Sequence, residues 1–309
     1  IMAKESIANP LTQSVGTGPY KFQERQPDRF VILTKFDGYS ARSDTPSGYA
    51  GKREARIAEL RFLPVPNANT RVEGMLAGQF HYADQLPVEA FKRVAASAAV
   101  KPMLVMPYGF PYLVLNTKQG PFANKRVRQA FQIALNHTEL MQAAFGDDKF
   151  FRATAAHFPP ASPFHSTAGA AAYNKGDAAV AKRMLAEAKY DGAPIRILNS
   201  KQYDFHHSMA LVMAEQLKTA GFKVQLDVVD WATLVQRRAD PAVYDVYVTH
   251  STFLPEPMLS PPQLGKGAPG WWETPAKEAA LAAFNAEISP RRRAPPPPRA
   301  PACATGPRG

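Results

Sequence analysis

The chain has 309 residues, of which 45% are hydrophobic and 20% are charged, and its formal net charge is +11. This composition is typical of a globular protein with one or two domains and excludes a fibrous or wholly disordered chain. No apolar run approaches the roughly 18 residues of a membrane-spanning helix, and the first residues lack the apolar core of a signal peptide.

Much of the positive charge lies at the C-terminus. Residues 290–309 are Pro, Arg, Ala and Gly with one Cys and one Thr, and their five arginines have no acidic neighbour. Such a segment buries too little apolar surface to offset the entropy of ordering it, so we predict a disordered or frame-shifted tail over residues 289–309. Elsewhere Lys and Arg are mixed with Asp and Glu, and nucleic acid is not an expected partner. The single cysteine, Cys303, excludes an internal disulfide.

The first part of the chain predicts short elements. Alternating apolar residues on both sides of a turn at residues 26–28 are typical of a β-hairpin. Asparagine is a good helix N-cap, and glycine commonly ends a helix. The predicted elements are a hairpin (18–36), a strand (57–65), a helix from Asn67 or Asn69 to Gly78, a strand (80–83), a helix from Pro87, and strands over 100–106 and 112–117.

The strongest helical pattern covers Asn124–Phe145, where apolar residues recur every three or four positions and Gly146 follows. We predict one continuous helix there. The later predicted elements are helices from Asp177, over 204–220, from Trp231 and over 274–287, with strands over 195–198, 224–229 and 244–249. Strands that alternate with helices predict an α/β fold with largely parallel sheets.

Motifs of catalysis are missing. The loop at residues 16–20 resembles a phosphate-binding loop only superficially, because Pro19 removes a backbone donor and no Gly-Lys-Ser/Thr follows. The adjacent His206 and His207 would project about 100° apart on a helix, so they cannot share a metal site. No Gly-x-Ser-x-Gly sequence is present to anchor a hydrolase. We therefore predict no catalytic residue, no metal and no cofactor.

Short blocks of sequence follow one another in a recognisable order. They include Gly16-Thr17-Gly18-Pro19-Tyr20-Lys21-Phe22, Val65-Pro66-Asn67-Ala68-Asn69-Thr70-Arg71, Tyr112-Leu113-Val114-Leu115-Asn116-Thr117, Val127-Arg128-Gln129-Ala130 and Tyr244-Asp245-Val246. In this order the blocks resemble family 5 of the bacterial solute-binding proteins, which serve ABC importers of dipeptides, oligopeptides, nickel and related solutes. The resemblance covers residues 15–287, and it departs at His81, where the family usually has Asp.

This resemblance implies an α/β, two-lobed fold of the type II periplasmic-binding-protein class, in the extended cluster with an extra subdomain. Residues 1–111 would be the C-terminal part of lobe one, which is incomplete, and residues 112–288 would be lobe two. The missing part of lobe one and an export signal are expected upstream of the present sequence.

The resemblance also implies ligand-binding residues. In peptide-binding relatives a basic residue after a lobe-two strand holds the solute carboxylate, and an Asp in a later loop holds its amine. Lys201 corresponds to the first position and Phe253 to the second, which leaves Glu256 as the candidate amine partner and leaves the identity of the solute open. The other expected ligand-binding residues are Asn116, Tyr203, His250, Thr252 and Trp272.

The implied function is that of a receptor without catalytic activity, which captures a peptide or similar small solute in an interlobe cleft by hinge closure. Its expected partners are the solute and a membrane-embedded ABC permease with its ATPase, and we expect a periplasmic monomer. The alternative is a ligand-sensing domain of a transcriptional regulator. A signal peptide or a helix-turn-helix in the upstream sequence would separate these two hypotheses.

Overall fold

A computed structural model of the chain describes residues 15–46, 50–254, 257–259 and 264–287. The chain divides into two compact units, one up to Val100 and one from Lys101 onwards. Pro111, where we predict the end of lobe one, lies inside the first strand of the second unit. The predicted tail over residues 289–309 lies outside the described residues. Within the described part of the chain, no helix has the length and apolar character needed to cross a bilayer.

The first unit contains a three-stranded antiparallel sheet in the order β1-β2-β3. Its strands are β1 (Tyr20–Gln26), β2 (Phe30–Lys35) and β3 (Glu59–Phe62). The predicted hairpin is confirmed, with Asp28 at φ +57° in the turn between β1 and β2. Ile32 on the central strand is buried, which gives this sheet its core contact.

Two short helices follow, α1 (Ala68–Leu76) and α2 (Phe91–Ala95). The side chain of Asn67 accepts a hydrogen bond from the Thr70 N–H at 2.9 Å, so the predicted N-cap of α1 is confirmed. The predicted strands over residues 80–83 and 100–106 are wrong, since neither segment pairs with another strand among the described residues. An apolar run forms a strand only where a ladder partner is available.

The second unit contains a four-stranded sheet in the order β4-β7-β5-β6. The strands are β4 (Gly109–Leu115), β5 (Ile195–Ser200), β6 (Val224–Val229) and β7 (Val246–Thr252). β5 is parallel to β6 and β7, whereas β4 is antiparallel to β7. The prediction of largely parallel sheets is therefore wrong for β4 and for the first unit, because an apolar run does not reveal in which direction its neighbour runs.

Helices cover both faces of this sheet. The helices of this unit are α3 (Lys125–Ala134), α4 (His137–Phe145), α5 (Ala178–Glu187), α6 (Asp204–Thr219), α7 (Trp231–Arg237) and α8 (Pro275–Ala286). The larger core packs Phe131, Leu185 and Met213 against Ile197 on one face. A smaller core on the other face joins Leu234 of α7 to Tyr247 and its neighbours. Burial on both faces explains the nearly continuous apolar strands.

The prediction of one helix over residues 124–145 is wrong, because α3 and α4 are separate helices. Leu135 and Asn136 have extended backbones between them. The Asn136 side chain accepts a hydrogen bond from the Glu139 N–H at 3.2 Å and donates one to the Glu139 carboxylate at 2.8 Å. This arrangement is a side-chain N-cap, with a second bond between the Asn136 amide and Glu139, and it starts a new helix at His137. The apolar periodicity runs through the break because buried Leu135 continues the core.

Candidate functional site

The carboxyl ends of three parallel strands meet at one edge of the second unit's sheet. β5 ends at Ser200, β6 at Val229 and β7 at Thr252, and the first residue of β4, Gly109, pairs with Thr252. In α/β sheets, ligands bind in the loops beyond this edge. The side chains that follow these strand ends are therefore the first candidates for a binding site.

Four aromatic side chains pack together at this edge, and we call the cluster of Tyr203, His206, Trp231 and His250 the open end. The Tyr203 ring centroid lies 4.9 Å from that of Trp231 and 4.8 Å from that of His250. His206 stacks on Trp231 at 5.6 Å. The local sequence fixes these positions, because Tyr203 is the N-cap residue of α6 and Trp231 is the first residue of α7.

The two histidines of the open end form a pair. His250 Nδ1 lies 3.0 Å from His206 Nε2, and the His206 side chain is fully buried with no partner for its Nδ1. Burial, with a smaller contribution from His250, lowers the pKa of His206 to about 3. Burial also lowers the pKa of His250. Both rings are therefore neutral near pH 7 and share one hydrogen in an N–H···N bond.

A concavity of about 200 Å³ lies beside the open end, and we call it the bowl. Aromatic side chains form most of its wall, and a single charged residue, Arg238, takes part. The lining residues are Tyr112, Tyr203, Trp231, Arg238, Tyr247, Thr249, His250, Ala268 and Pro269. An apolar wall with a few polar groups is the usual composition of a small-molecule site.

A larger groove of about 480 Å³ lies among the helices, away from the strand ends. Polar side chains of its lining already make hydrogen bonds within the protein. Gln216 donates to the Glu139 carboxylate at 2.8 Å, and its side-chain oxygen accepts from the Asn136 N–H at 3.1 Å. These bonds hold the start of α4 against α6, so we assign this groove a structural role and take the bowl as the candidate binding site.

The structure brings together most of the predicted ligand-binding residues. Tyr203 and His250 line the bowl. Thr252 ends β7 at the same edge, and the Phe253 ring packs at 5.1 Å against Phe110. Lys201 is exposed in the turn that follows β5. Glu256 lies outside the described residues.

Two predicted ligand-binding residues, Asn116 and Trp272, are not brought to the bowl. Asn116 follows the carboxyl end of β4, which pairs with the beginning of β7 and so lies at the opposite edge of the sheet. Its amide donates to the carbonyls of Pro241 and Tyr244, and its oxygen accepts from two backbone N–H groups. Trp272 is 51% exposed, and the Trp271 carbonyl accepts from the Thr117 hydroxyl at that same edge. Asn116 is therefore a structural residue.

That opposite edge is held by an ion pair, and we call Asn116, Arg196 and Asp245 the anchored end. Arg196 donates to the Asp245 carboxylate from Nε at 2.9 Å, from Nη2 at 3.1 Å and from its backbone N–H at 2.9 Å. Asp245 is 1% exposed. Because three donors satisfy the carboxylate, the buried charge is compensated.

Several residues of the bowl escaped the sequence analysis. Trp231 was expected only to begin a helix. Arg238, Tyr112 and Tyr247 carry no local signal of binding. The alternation along β7, which places Tyr247 and Thr249 on the same face, is the one pattern that could have identified part of the wall.

The described residues contain no group of three or more His, Cys, Asp or Glu side chains that could hold a metal ion. The His206–His250 pair contributes only two imidazoles. The site therefore offers apolar contact, hydrogen bonding and one cationic group.

Comparisons with known proteins agree with this arrangement. A profile described as bacterial extracellular solute-binding proteins, family 5 (middle) matches residues 2–269. The probable peptide ABC transporter periplasmic-binding protein y4tO of Sinorhizobium fredii is 24% identical, over 77% of this chain and 47% of its own length. The glutathione-binding protein GsiB of Pectobacterium atrosepticum is 29% identical, over 70% of this chain and 39% of its own length.

Solved structures show the same fold. The structure of NikA from Staphylococcus aureus in complex with Ni(L-His)2 matches with a TM-score of 0.74 and 15% identity, and covers 95% of this chain and 61% of that protein. The chain thus has a periplasmic-binding-protein fold, and it spans less than half the length of the two curated relatives.

Proposed function

This chain belongs to the bacterial extracellular solute-binding proteins of family 5, and on that premise we propose that it is part of a receptor that captures a small solute for an ABC importer. The observation that supports this function is the bowl, whose lining includes Tyr203, Trp231 and His250 next to the carboxyl ends of β5, β6 and β7. Neutral aromatic walls and a few polar groups suit a solute that is bound and released unchanged. The receptor has no catalytic activity.

Hinge closure is the proposed mechanism. In this proposal the bowl belongs to lobe two, residues 112–288, and residues 1–111 are the C-terminal part of lobe one. A solute stabilises the closed form only by its additional contacts there. The closed receptor is then recognised by a membrane-embedded permease, and the ATPase of that permease drives import.

The relatives indicate the class of solute. The names of the two curated relatives refer to a peptide and to glutathione, and the NikA structure contains a nickel–histidine complex. We propose a peptide or a solute of similar size, which the receptor meets outside the cytoplasm as a monomer after export by an upstream signal. Relatives that act in transport give the regulator hypothesis no support.

Among the residues predicted from the sequence, Tyr203 and His250 form the wall of the proposed site. Lys201, Thr252 and Phe253 stand at its edge, where they would meet the parts of the solute that extend beyond the bowl. Glu256 keeps its proposed role as amine partner.

A pair of tryptophan variants tests this function. We expect dipeptide and oligopeptide pools to bind the 309-residue chain more weakly than about 1 µM, because this chain spans less than half the length of the two curated relatives and so offers fewer closure contacts. Trp231→Ala should abolish this binding, as measured by isothermal titration calorimetry. Trp272→Ala is the matched control, since Trp272 lies at the opposite edge of the sheet. Equal losses in both variants, or binding retained by Trp231→Ala, would contradict a site in the bowl.

A further inference from the structure

Arg238 stands apart from the other residues of the bowl. It follows the last turn of α7, its side chain is half-buried, and it lines the concavity beside Tyr203 and Trp231. No carboxylate of the described residues lies within ion-pair distance of its guanidinium, and no hydrogen bond from that group to the described residues is present. Only the Arg238 backbone carbonyl is engaged, as acceptor for the Tyr244 hydroxyl at 3.1 Å.

The rest of the wall carries no charge. The His250 ring is neutral because burial lowers its pKa, and the remaining lining side chains are aromatic, aliphatic or hydroxyl-bearing. No Asp or Glu lines the bowl. A half-buried cation without a partner gains more from an incoming anion than an exposed cation does, because less water competes for it.

We propose that the solute carries an anionic group that Arg238 binds, next to an apolar or planar group that packs against Tyr203 and Trp231. This inference rests on the proposed function and specifies its solute. The planar guanidinium fork offers two parallel N–H groups to a carboxylate or a phosphate. An ammonium group finds no counter-charge in the described wall, so the part of the solute in the bowl is anionic and free of amines.

Arg238 and Lys201 are two different candidates for the side chain that binds the solute anion. Lys201 is exposed in the turn after β5 and was expected from the family resemblance to hold the solute carboxylate. Arg238 reaches the bowl from α7 and is more deeply placed. If Arg238 binds the anion, Lys201 contributes little to the discrimination between charged and neutral solutes.

Three probes that share one aromatic group test the proposal. They are N-acetyl-L-phenylalanine, which is anionic, N-acetyl-L-phenylalaninamide, which is neutral, and L-phenylalaninamide, which is cationic at pH 6.5. Binding to the 309-residue chain is followed through the indole N–H resonance of Trp231, assigned with Trp231→Phe. We expect the anionic probe to bind about tenfold more tightly than the neutral one, which is the usual effect of one hydrogen bond to a charged group, and the cationic probe to bind most weakly.

Variants then assign the discrimination to one side chain. Arg238→Gln should remove the preference for the anionic probe, and Arg238→Lys should retain part of it. Arg237→Gln is the matched control, because Arg237 is an exposed neighbour on the same helix that does not line the bowl. The dispersion of the amide resonances shows that each variant is folded. Lys201→Gln should leave the preference intact.

The outcomes separate this inference from the function on which it rests. If all three probes shift Trp231 equally, if the preference survives Arg238→Gln, or if it disappears in Lys201→Gln instead, the bowl is a solute site without an Arg238 anion subsite. If the cationic probe binds best and Glu256→Gln abolishes that binding, the proposed charge selectivity is wrong. If no probe shifts Trp231, the proposed function fails and the anion subsite with it.

Discussion

The two ends of the second unit's sheet use polar residues in opposite ways. At the anchored end, every donor and acceptor of the Asn116 amide is engaged, and three N–H groups of Arg196 satisfy the buried carboxylate of Asp245. At the open end, the buried His206 keeps one nitrogen without a partner.

This difference separates the anchored end, whose polar groups are satisfied within the protein, from the candidate site. A side chain whose hydrogen bonds are all made within the protein has nothing left to offer a solute, and its loss destabilises the fold. A polar group that remains unsatisfied lowers stability, because desolvation is not repaid. The family resemblance alone placed Asn116 among the binding residues, and its hydrogen bonds place it among the structural ones.

The largest expected effect comes from breaking the anchored end. Asp245→Ala removes the acceptor of three hydrogen bonds and leaves the charge of Arg196 without its partner. We expect the free energy of unfolding to fall by about 3 kcal/mol, measured by urea denaturation followed by circular dichroism.

A surface ion pair provides the control for that experiment. Glu187 pairs with Arg126, and both side chains are well exposed. Glu187→Ala should cost less than about 1 kcal/mol, because solvent screens such a pair. If the two substitutions had equal effects, the buried pair of Arg196 and Asp245 would stabilise the fold no more than the exposed pair of Arg126 and Glu187.

An effect of intermediate size on the free energy of unfolding is expected when the pH is lowered, because His206 of the open end is buried. The pKa of His206 is about 3 in the folded state and close to 6.5 in the unfolded state, so the unfolded state binds the proton first as the pH falls. The free energy of unfolding therefore does not depend on this ring above pH 6.5, and it decreases as the pH falls from 6.5 toward 3. At pH 5 the loss is about 2 kcal/mol.

His206→Phe should remove this part of the pH dependence, because phenylalanine has no proton to bind. Urea denaturation at pH 7.5, 6 and 5 measures it, and the exposed His81 provides the control variant His81→Gln. An unchanged slope in His206→Phe would show that folding does not lower the pKa of His206.

The smallest effect is expected at Lys201. This side chain is exposed beyond β5, and the described residues offer it no hydrogen bond or ion pair. Lys201→Ala should change the free energy of unfolding by less than about 0.5 kcal/mol. A larger loss would mean that the Lys201 side chain stabilises the fold.

Local signals in the sequence were sufficient for many elements. The helix starts at Asn67, Asp177 and Thr274 are confirmed, because an N-cap depends only on residues two or three positions away. The same rule could have found the break before α4, where Asn136 precedes Glu139 at capping-box spacing. The apolar periodicity was given more weight than this signal, and it cannot distinguish one long helix from two that share a core.

Long-range features could not be predicted in this way. His206 and His250 are 44 residues apart and meet only because β5 and β7 are neighbours in the sheet. Arg238 reaches the bowl through the path of α7, which no sequence motif encodes. The predicted site residues that do line the bowl came from the family resemblance, which carries three-dimensional information that periodicity lacks.

The pairing of β4 with β7 has a mechanical consequence. Because Gly109 pairs with Thr252, β4 begins beside the point where β7 ends, at the carboxyl edge of the parallel strands. The Phe253 N–H donates to the Tyr108 carbonyl at 3.2 Å, which ties the incoming and outgoing segments together. A force on the residues that precede β4 would therefore reach the end of β7 directly, through the pairing of Gly109 with Thr252.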